Sequence, residues 1–257
     1  MKVVILAGGK GSRLSEETDL KPKPMVEIGG KPILWHIMKH YAHYGFKEFF
    51  VALGYKGEII KRYFMDYYPL TGSITINLSN GEVLKAQKEK SEGWLVHLMD
   101  TGLDTLTGGR VKRLEPWLKE EIFMVTYGDG VSNIDLQDLL CFHRSHGRLA
   151  TVTAVRPPAR FGGLVLEGDL VIRFTEKAQA DEGWINGGFL VFEPEVFRYL
   201  SGDNTSLEGD ALEHLAAEGQ LAAYRHAGFW QPMDTLRDVR MLQAHWESAK
   251  PPWKLWK

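Results

Sequence analysis

Lys21-Pro22-Lys23-Pro24 places a lysine between two prolines. Proline fixes its own φ and restricts the residue before it, so Lys23 is expected on extended backbone that is set in advance. Ten residues upstream of Lys23 is Arg13, in the run Gly8-Gly9-Lys10-Gly11-Ser12-Arg13-Leu14 that directly follows the apolar Val3-Val4-Ile5-Leu6. Glycines permit a tight turn whose N–H groups cradle an anion, and Arg13 adds a planar fork of donors. Two cations beside a glycine loop suit a polyphosphate. Taken singly, each reads as well as a solvated basic loop or an ordinary turn. The loop departs from the two common phosphate loops. Leu14 stands where a dinucleotide fingerprint needs its third glycine, and Gly11 follows Gly9-Lys10 where a P-loop needs Ser or Thr.

Acids that could meet such a ligand stand much later in the chain. Asp129 lies between Gly128 and Gly130 just after the apolar run Ile122 to Thr126. A carboxylate at the end of a strand suits a hard cation bound to phosphates, although Asp-Gly is also a common turn. Asp234, in Gly228-Phe229-Trp230-Gln231-Pro232-Met233-Asp234-Thr235, is a second candidate, with a helix N-cap as its ordinary role. Glu176-Lys177 closes Phe174-Thr175, where a surface ion pair is the plain alternative. Ile185-Asn186-Gly187-Gly188-Phe189 offers an amide for hydroxyls and glycines that allow close approach to backbone.

The elements that position these residues follow from periodicity. Lys2 to Ala7 reads as a buried strand, and Pro32 opens a helix whose apolar positions Ile33, Leu34, Ile37, Met38 and Tyr41 keep helical spacing before Gly45. Glu48 to Leu53 is a strand and Gly57 to Tyr68 a helix. This β-loop-α-β-α order predicts a parallel sheet covered by helices. Further strands are expected at Ile74 to Leu78, Leu95 to Met99, Ile122 to Thr126 and Ala150 to Val155, with helices at Gly108 to Leu118 and Asp135 to His146. Short β segments follow at Leu164 to Leu166, Val171 to Phe174 and Gly188 to Phe192. Helices are expected again at Leu207 to Glu218 and Arg237 to Ser248, with 250–257 as a tail. Its tryptophans, Trp253 and Trp256, together with Trp246, are expected to exceed what one subunit can bury and so to favour a homo-oligomer.

The 257 residues are 44% hydrophobic and 25% charged, which fits a globular α/β body. A formal net charge of −2 gives no electrostatic ground for nucleic acid or an anionic membrane surface. Only five apolar residues separate Met1-Lys2 from Gly8, too few for a signal-peptide core, and no run reaches membrane-spanning length. The expected location is the cytoplasm. Cys141, in Leu139-Leu140-Cys141-Phe142, is expected as a small buried hydrophobe.

The ordered set Leu6-Ala7-Gly8-Gly9-Lys10-Gly11-Ser12-Arg13-Leu14, Lys21-Pro22-Lys23-Pro24-Met25, Gly128-Asp129-Gly130, Glu176-Lys177 and Asn186-Gly187-Gly188 resembles the sugar nucleotidylyltransferase family. The resemblance runs from residue 1 to at least Asp234. The narrower segments Pro24 to Ile37, Leu53-Gly54-Tyr55-Lys56-Gly57, Asp100-Thr101-Gly102, Thr107-Gly108-Gly109-Arg110, Gly228 to Asp238 and Pro252-Trp253-Lys254 resemble the branch that uses CTP and glucose 1-phosphate. The resemblance implies one domain over 1–257: a Rossmann-like, mostly parallel sheet flanked by helices, with a smaller β-rich sugar-binding extension. Residues 1–155 would mainly bind nucleotide, 156–235 mainly sugar, and 236–257 would form the last helix and tail. It further implies Mg²⁺, with Asp129 and Asp234 as its ligands. Leu6, Ala7, Gly8, Gly9, Gly11, Ser12, Arg13, Lys23, Asp104, Gly109 and Gly128 would meet the nucleotide, with the segment from Gly102 to Arg110 near the base. Glu176 would meet sugar hydroxyls and Lys177 the sugar phosphate, Asn186 and Gly187 would line the sugar pocket, and Arg13, Lys23 and Lys177 would be the catalytic cations. Ser12 replaces the family's usual threonine, keeping the hydroxyl, and Ala178 replaces the usual proline after the Glu-Lys pair. Two other readings keep the fold: another nucleotide, or a catalytically silent nucleotide-sugar sensor. The joint presence of Arg13, Lys23, Asp129 and Asp234 argues against the sensor.

Overall fold

The computed structural model describes residues 1–11, 14, 20–67, 73–86, 92–157, 163–167, 170–175, 183–248 and 250–256. Ser12, Arg13, Glu176, Lys177 and Ala178 lie outside them.

β1 (Lys2–Ala7) has the continuous apolar character of a strand buried on both faces. The chain then makes a 3₁₀ turn at Lys23–Met25. A short hairpin of β2 (Glu27–Ile28) and β3 (Lys31–Pro32) feeds α1 (Ile33–His43). β4 (Glu48–Leu53) and α2 (Gly57–Met65) follow, and the hairpin of β5 (Ile74–Asn77) and β6 (Glu82–Ala86) stands apart as its own two-stranded sheet. After β7 (Leu95–Asp100) come α3 (Thr107–Arg113) and α4 (Glu115–Leu118), where one helix was expected; Pro116 at the start of α4 cannot continue the first. β8 (Phe123–Tyr127) leads to the three-residue β9 (Gly130–Ser132), and then to α5 (Leu136–His146) and β10 (Ala150–Val155). β11 (Gly163–Glu167) pairs antiparallel with β12 (Leu170–Thr175), again apart from the main sheet. β13 (Ile185–Phe192), a π-helix at Leu207–Leu212 running into α6 (Glu213–Ala217), β14 (Leu221–His226), β15 (Trp230–Pro232) and α7 (Leu236–Glu247) complete the order.

Seven strands form the central sheet in the order β14-β10-β13-β8-β1-β4-β7. Every neighbouring pair is parallel except the two that β13 makes with β10 and β8. The sheet is therefore mixed α/β and mostly parallel. Part of the expected β-rich extension belongs to it: β13 and β14 are strands of the central sheet, while β11–β12 remains separate. The alternation of β1 divides the core. Val3 and Ile5 join α1, α5 and α7 on one side; Val4 and Leu6 join α3, α4 and the Leu207–Ala217 helices on the other.

Two local expectations change. Cys141 is exposed, because Leu139, Leu140 and His143 take the inward face of α5 and turn the next position outward. The tail folds back on its own chain. Trp253 is fully buried against Phe229, Trp246 and the ring of His36, and Trp256 packs on Trp35. Trp253 is thus covered within one subunit, whereas Trp246 and Trp256 stay partly exposed. Among the described residues no helix is long and apolar enough to cross a membrane.

Candidate functional site

From β1 the chain reaches β4 on one side of the sheet, and later β8 on the other, so the order reverses at β1/β8. A crevice opens beyond the carboxyl ends of strands at such a point. A cavity of about 390 Å³ lies there, lined by Leu6, Ala7, Gly8, Gly9 and Gly11 from the loop after β1. Lys23, Pro24, Tyr127, Gly128 and Asp129 line it too, as do Thr105, Leu106, Thr107 and Arg110.

Lys23 is buried and reaches both acids. Its ammonium donates to Asp129 Oδ2 at 2.7 Å and to Asp234 Oδ1 at 2.7 Å. Burial works against the charged ammonium, but the two carboxylates outweigh it and hold the lysine above its ordinary pKa. The backbone here is not uniformly extended: Pro22 is, and Lys23 then starts the 3₁₀ turn that aims its side chain inward. Asp129 and Asp234 meet because β9 and β15 pair antiparallel, with Gly130 opposite Pro232, and because Met233 N donates to Asp129 O at 2.8 Å. Asp234 is not the helix cap. Thr235 takes that role in a reciprocal box with Asp238, whose carboxylate also accepts from Asp234 N at 3.1 Å. Two convergent carboxylates are hard oxygen donors of the kind Mg²⁺ prefers, so the donor set fits that ion.

Arg110, 4% exposed, is the cavity residue whose part the sequence concealed. Its guanidinium donates to Gly8 O (3.1 Å), Leu53 O (3.1 Å), Thr101 Oγ1 (2.8 Å), Gly102 O (2.7 Å) and Leu103 O (3.2 Å). It ties the glycine loop to the end of β4 and to the segment after β7. Burial, then the nearby Arg113, lowers its pKa, although a guanidinium stays charged. A Cβ on Gly8 would lie 2.3 Å from that guanidinium, which accounts for glycine there. Gly109, one residue before Arg110, packs on the backbone of Asp203. Asp104, one residue before the cavity residue Thr105, pairs with Lys10 at 3.2 Å on the exposed rim. Neither is among the cavity's lining residues. A buried arginine bonded to carbonyls has no signature in sequence beyond its place after two glycines.

Asn186 lies on β13 and donates to the Tyr127 hydroxyl at 3.3 Å. The carbonyl of Gly187 accepts from Trp230 Nε1 at 2.7 Å, and Gly188, at φ 77°, leaves room for the Tyr127 ring. Gly128 N donates to Leu6 O at 3.0 Å, bringing the ends of β8 and β1 to one edge of the cavity. The arrangement therefore collects a glycine loop, the buried cations Lys23 and Arg110 and the carboxylate of Asp129 around one space, with Asp234 joined to it through Lys23. This suits an anionic ligand with a bound cation, held for displacement at phosphorus.

The family model described as nucleotidyl transferase matches residues 2–248. The glucose-1-phosphate cytidylyltransferase of Salmonella typhi is 49% identical over 257 residues, covering 100% of both chains. The probable glucose-1-phosphate cytidylyltransferase of Bacillus subtilis is 47% identical with the same coverage. Among solved structures, a UDP-glucose pyrophosphorylase complexed with UDP-glucose is similar with a TM-score of 0.68 at 18% identity, covering 97% of this chain and 99% of that one. That likeness bears on the fold alone.

Proposed function

This chain belongs to the nucleotidyl transferase family, and from that premise we propose that it converts CTP and glucose 1-phosphate to CDP-glucose and pyrophosphate. The observation that carries the reading is the meeting of Lys23, Asp129 and Asp234 beside the glycine loop at the switch point of the sheet. Full-length identity to the two cytidylyltransferases supports the choice of substrates.

The nucleophile needs no activation by a side chain, because a phosphate oxygen of glucose 1-phosphate is already anionic. It attacks the α-phosphorus of CTP, the bond to the β-phosphate oxygen breaks in line, and pyrophosphate leaves with that electron pair. The barrier is mainly repulsion between anions and the cost of alignment. Lys23 lowers the first at the cavity wall, with Arg13 and Lys177 assigned to the same task by resemblance. Arg110 and the loop glycines address the second by fixing the shape of the cavity. Mg²⁺, held by Asp129 and Asp234, would supply further positive charge to phosphate oxygens. Thr105, Leu106 and Arg110 belong to the segment assigned to the base. A fixed acceptor such as a backbone carbonyl there would favour the amino group of cytosine over the carbonyl of uracil, since a mispaired buried polar group costs roughly 1–3 kcal/mol. A cytoplasmic location, from the short apolar run before Gly8, and a homo-oligomer, from the tryptophans of the tail, remain part of the proposal. Pyrophosphate release with glucose 1-phosphate, Mg²⁺ and each of the four NTPs in turn tests it: CTP is expected to lead UTP by about tenfold or more, and equal rates would overturn the base assignment.

A further inference from the structure

Tyr127 and Thr107 line the cavity, and one carboxylate outside its lining holds both. Glu208 Oε1 accepts from the Tyr127 hydroxyl, and Glu208 Oε2 accepts from Thr107 Oγ1 at 2.7 Å and Ser206 Oγ at 3.1 Å. Glu208 sits in the π-helix Leu207–Leu212, a conformation that is rare and often found beside functional sites. The backbone reinforces the contact: Leu207 N donates to Thr107 Oγ1 at 2.9 Å. Thr107 opens α3, and Tyr127 ends β8, so the carboxylate spans two walls of the cavity.

The chemistry of this bridge is directional. A phenol has one proton and two lone pairs. Because Tyr127 donates its proton to Glu208, its oxygen can only accept from every other partner. Asn186 Nδ2 takes one such position at 3.3 Å. Among the described residues no further donor takes the other, which is left for a donor in the cavity. A sugar hydroxyl is such a donor, and a phosphate oxygen is not. Burial, then the charge of Glu208, pushes the Tyr127 pKa above its ordinary value, so the phenol keeps its proton to donate.

We propose that Glu208 is a positioning residue for substrate: it fixes the Tyr127 hydroxyl as an acceptor for a hydroxyl of the sugar phosphate, and pins α3 through Thr107. This rests on the proposed reaction, in which the Asn186 side of the cavity holds the sugar. Glu208→Gln keeps size but puts an amide donor against one of the two hydroxyls, freeing it to turn. It is expected to raise KM for glucose 1-phosphate about tenfold, the loss of roughly one hydrogen bond, with kcat falling less than about threefold. Tyr127→Phe is expected to raise the same KM, and the double variant to be no worse than the more affected single one. A KM within twofold of the parent in Glu208→Gln, or additive effects in the double variant, would overturn the proposal. A second arm does not depend on the reaction. In a chain labelled with [¹³Cζ]tyrosine, the resonance assigned to Tyr127 through Tyr127→Phe is expected to shift in Glu208→Gln. An unmoved resonance would overturn the coupling, whereas a parent protein inert with CTP and glucose 1-phosphate would instead refute the reaction.

Discussion

Lys23 between Asp129 and Asp234 is a triad of one cation and two anions, and its logic differs from that of a surface ion pair. Exposed pairs contribute about 0–1 kcal/mol, but these groups are largely withdrawn from water. Removing one partner leaves the others without a match, which costs more than the pair contributes. In the proposed function their value lies in placing two carboxylates at one edge of an anion site. Asp129→Asn, which keeps the size and removes the charge, is expected to lower turnover in Mg²⁺ by at least two orders of magnitude, about 2.7 kcal/mol at about 1.36 kcal/mol per decade. Asp234→Asn is expected to act alike. Steady-state rates of the double variant are expected to be far from additive, since both acids would serve one ion. Near-normal turnover in either single variant would remove that residue from the metal set.

At the scale of elements, the site hangs on two strands of three residues each. β9 and β15 are too short to show a period of two, and neither stands out from turn-like glycines and prolines. That is why the acids could be named from sequence while the device joining them could not. The long parallel strands were legible because burial on both faces makes them continuously apolar, as in Val3-Val4-Ile5-Leu6. β14 was not: Leu221-Ala222-Ala223-Tyr224-Arg225-His226 mixes helix formers and charge, and only pairing with β10 makes it a strand. The role of Arg110 was hidden for a related reason, because arginine is ordinarily a surface residue. Thr235 anchors α7 directly after Asp234. Thr235→Ala removes one half of the capping box and is expected to cost about 1 kcal/mol of stability. Thermal melting would register this as a fall of about 2–4 °C for a chain of this size, and an unchanged midpoint would show that the cap is dispensable.

For the whole molecule, the buried histidines couple folding to acidity. His36, His40 and His143 are each buried, and burial is the first cause that pulls each down to about 4. An unfolded histidine takes its proton near 6.5. Below that pH the unfolded chain binds protons that the folded chain refuses, so stability falls as pH falls from about 6.5 toward 4. Each residue contributes up to about 3 kcal/mol of that loss. Urea midpoints measured between pH 7.5 and 4.5 are expected to decline steadily over this window, and a flat profile would contradict the burial of these rings as neutral groups. The acidic limit is a property of the core around α1 and α5, separate from the chemistry at the sheet edge.

In the proposed function one fold brings CTP and glucose 1-phosphate into a single cavity and joins them. The most direct measurement supplies all four NTPs together at equal concentration with glucose 1-phosphate and Mg²⁺, and identifies the sugar nucleotide formed by mass. CDP-glucose is expected as the main product, formed in step with pyrophosphate. A different nucleoside diphosphate sugar as the main product, or no sugar nucleotide at all, would contradict it.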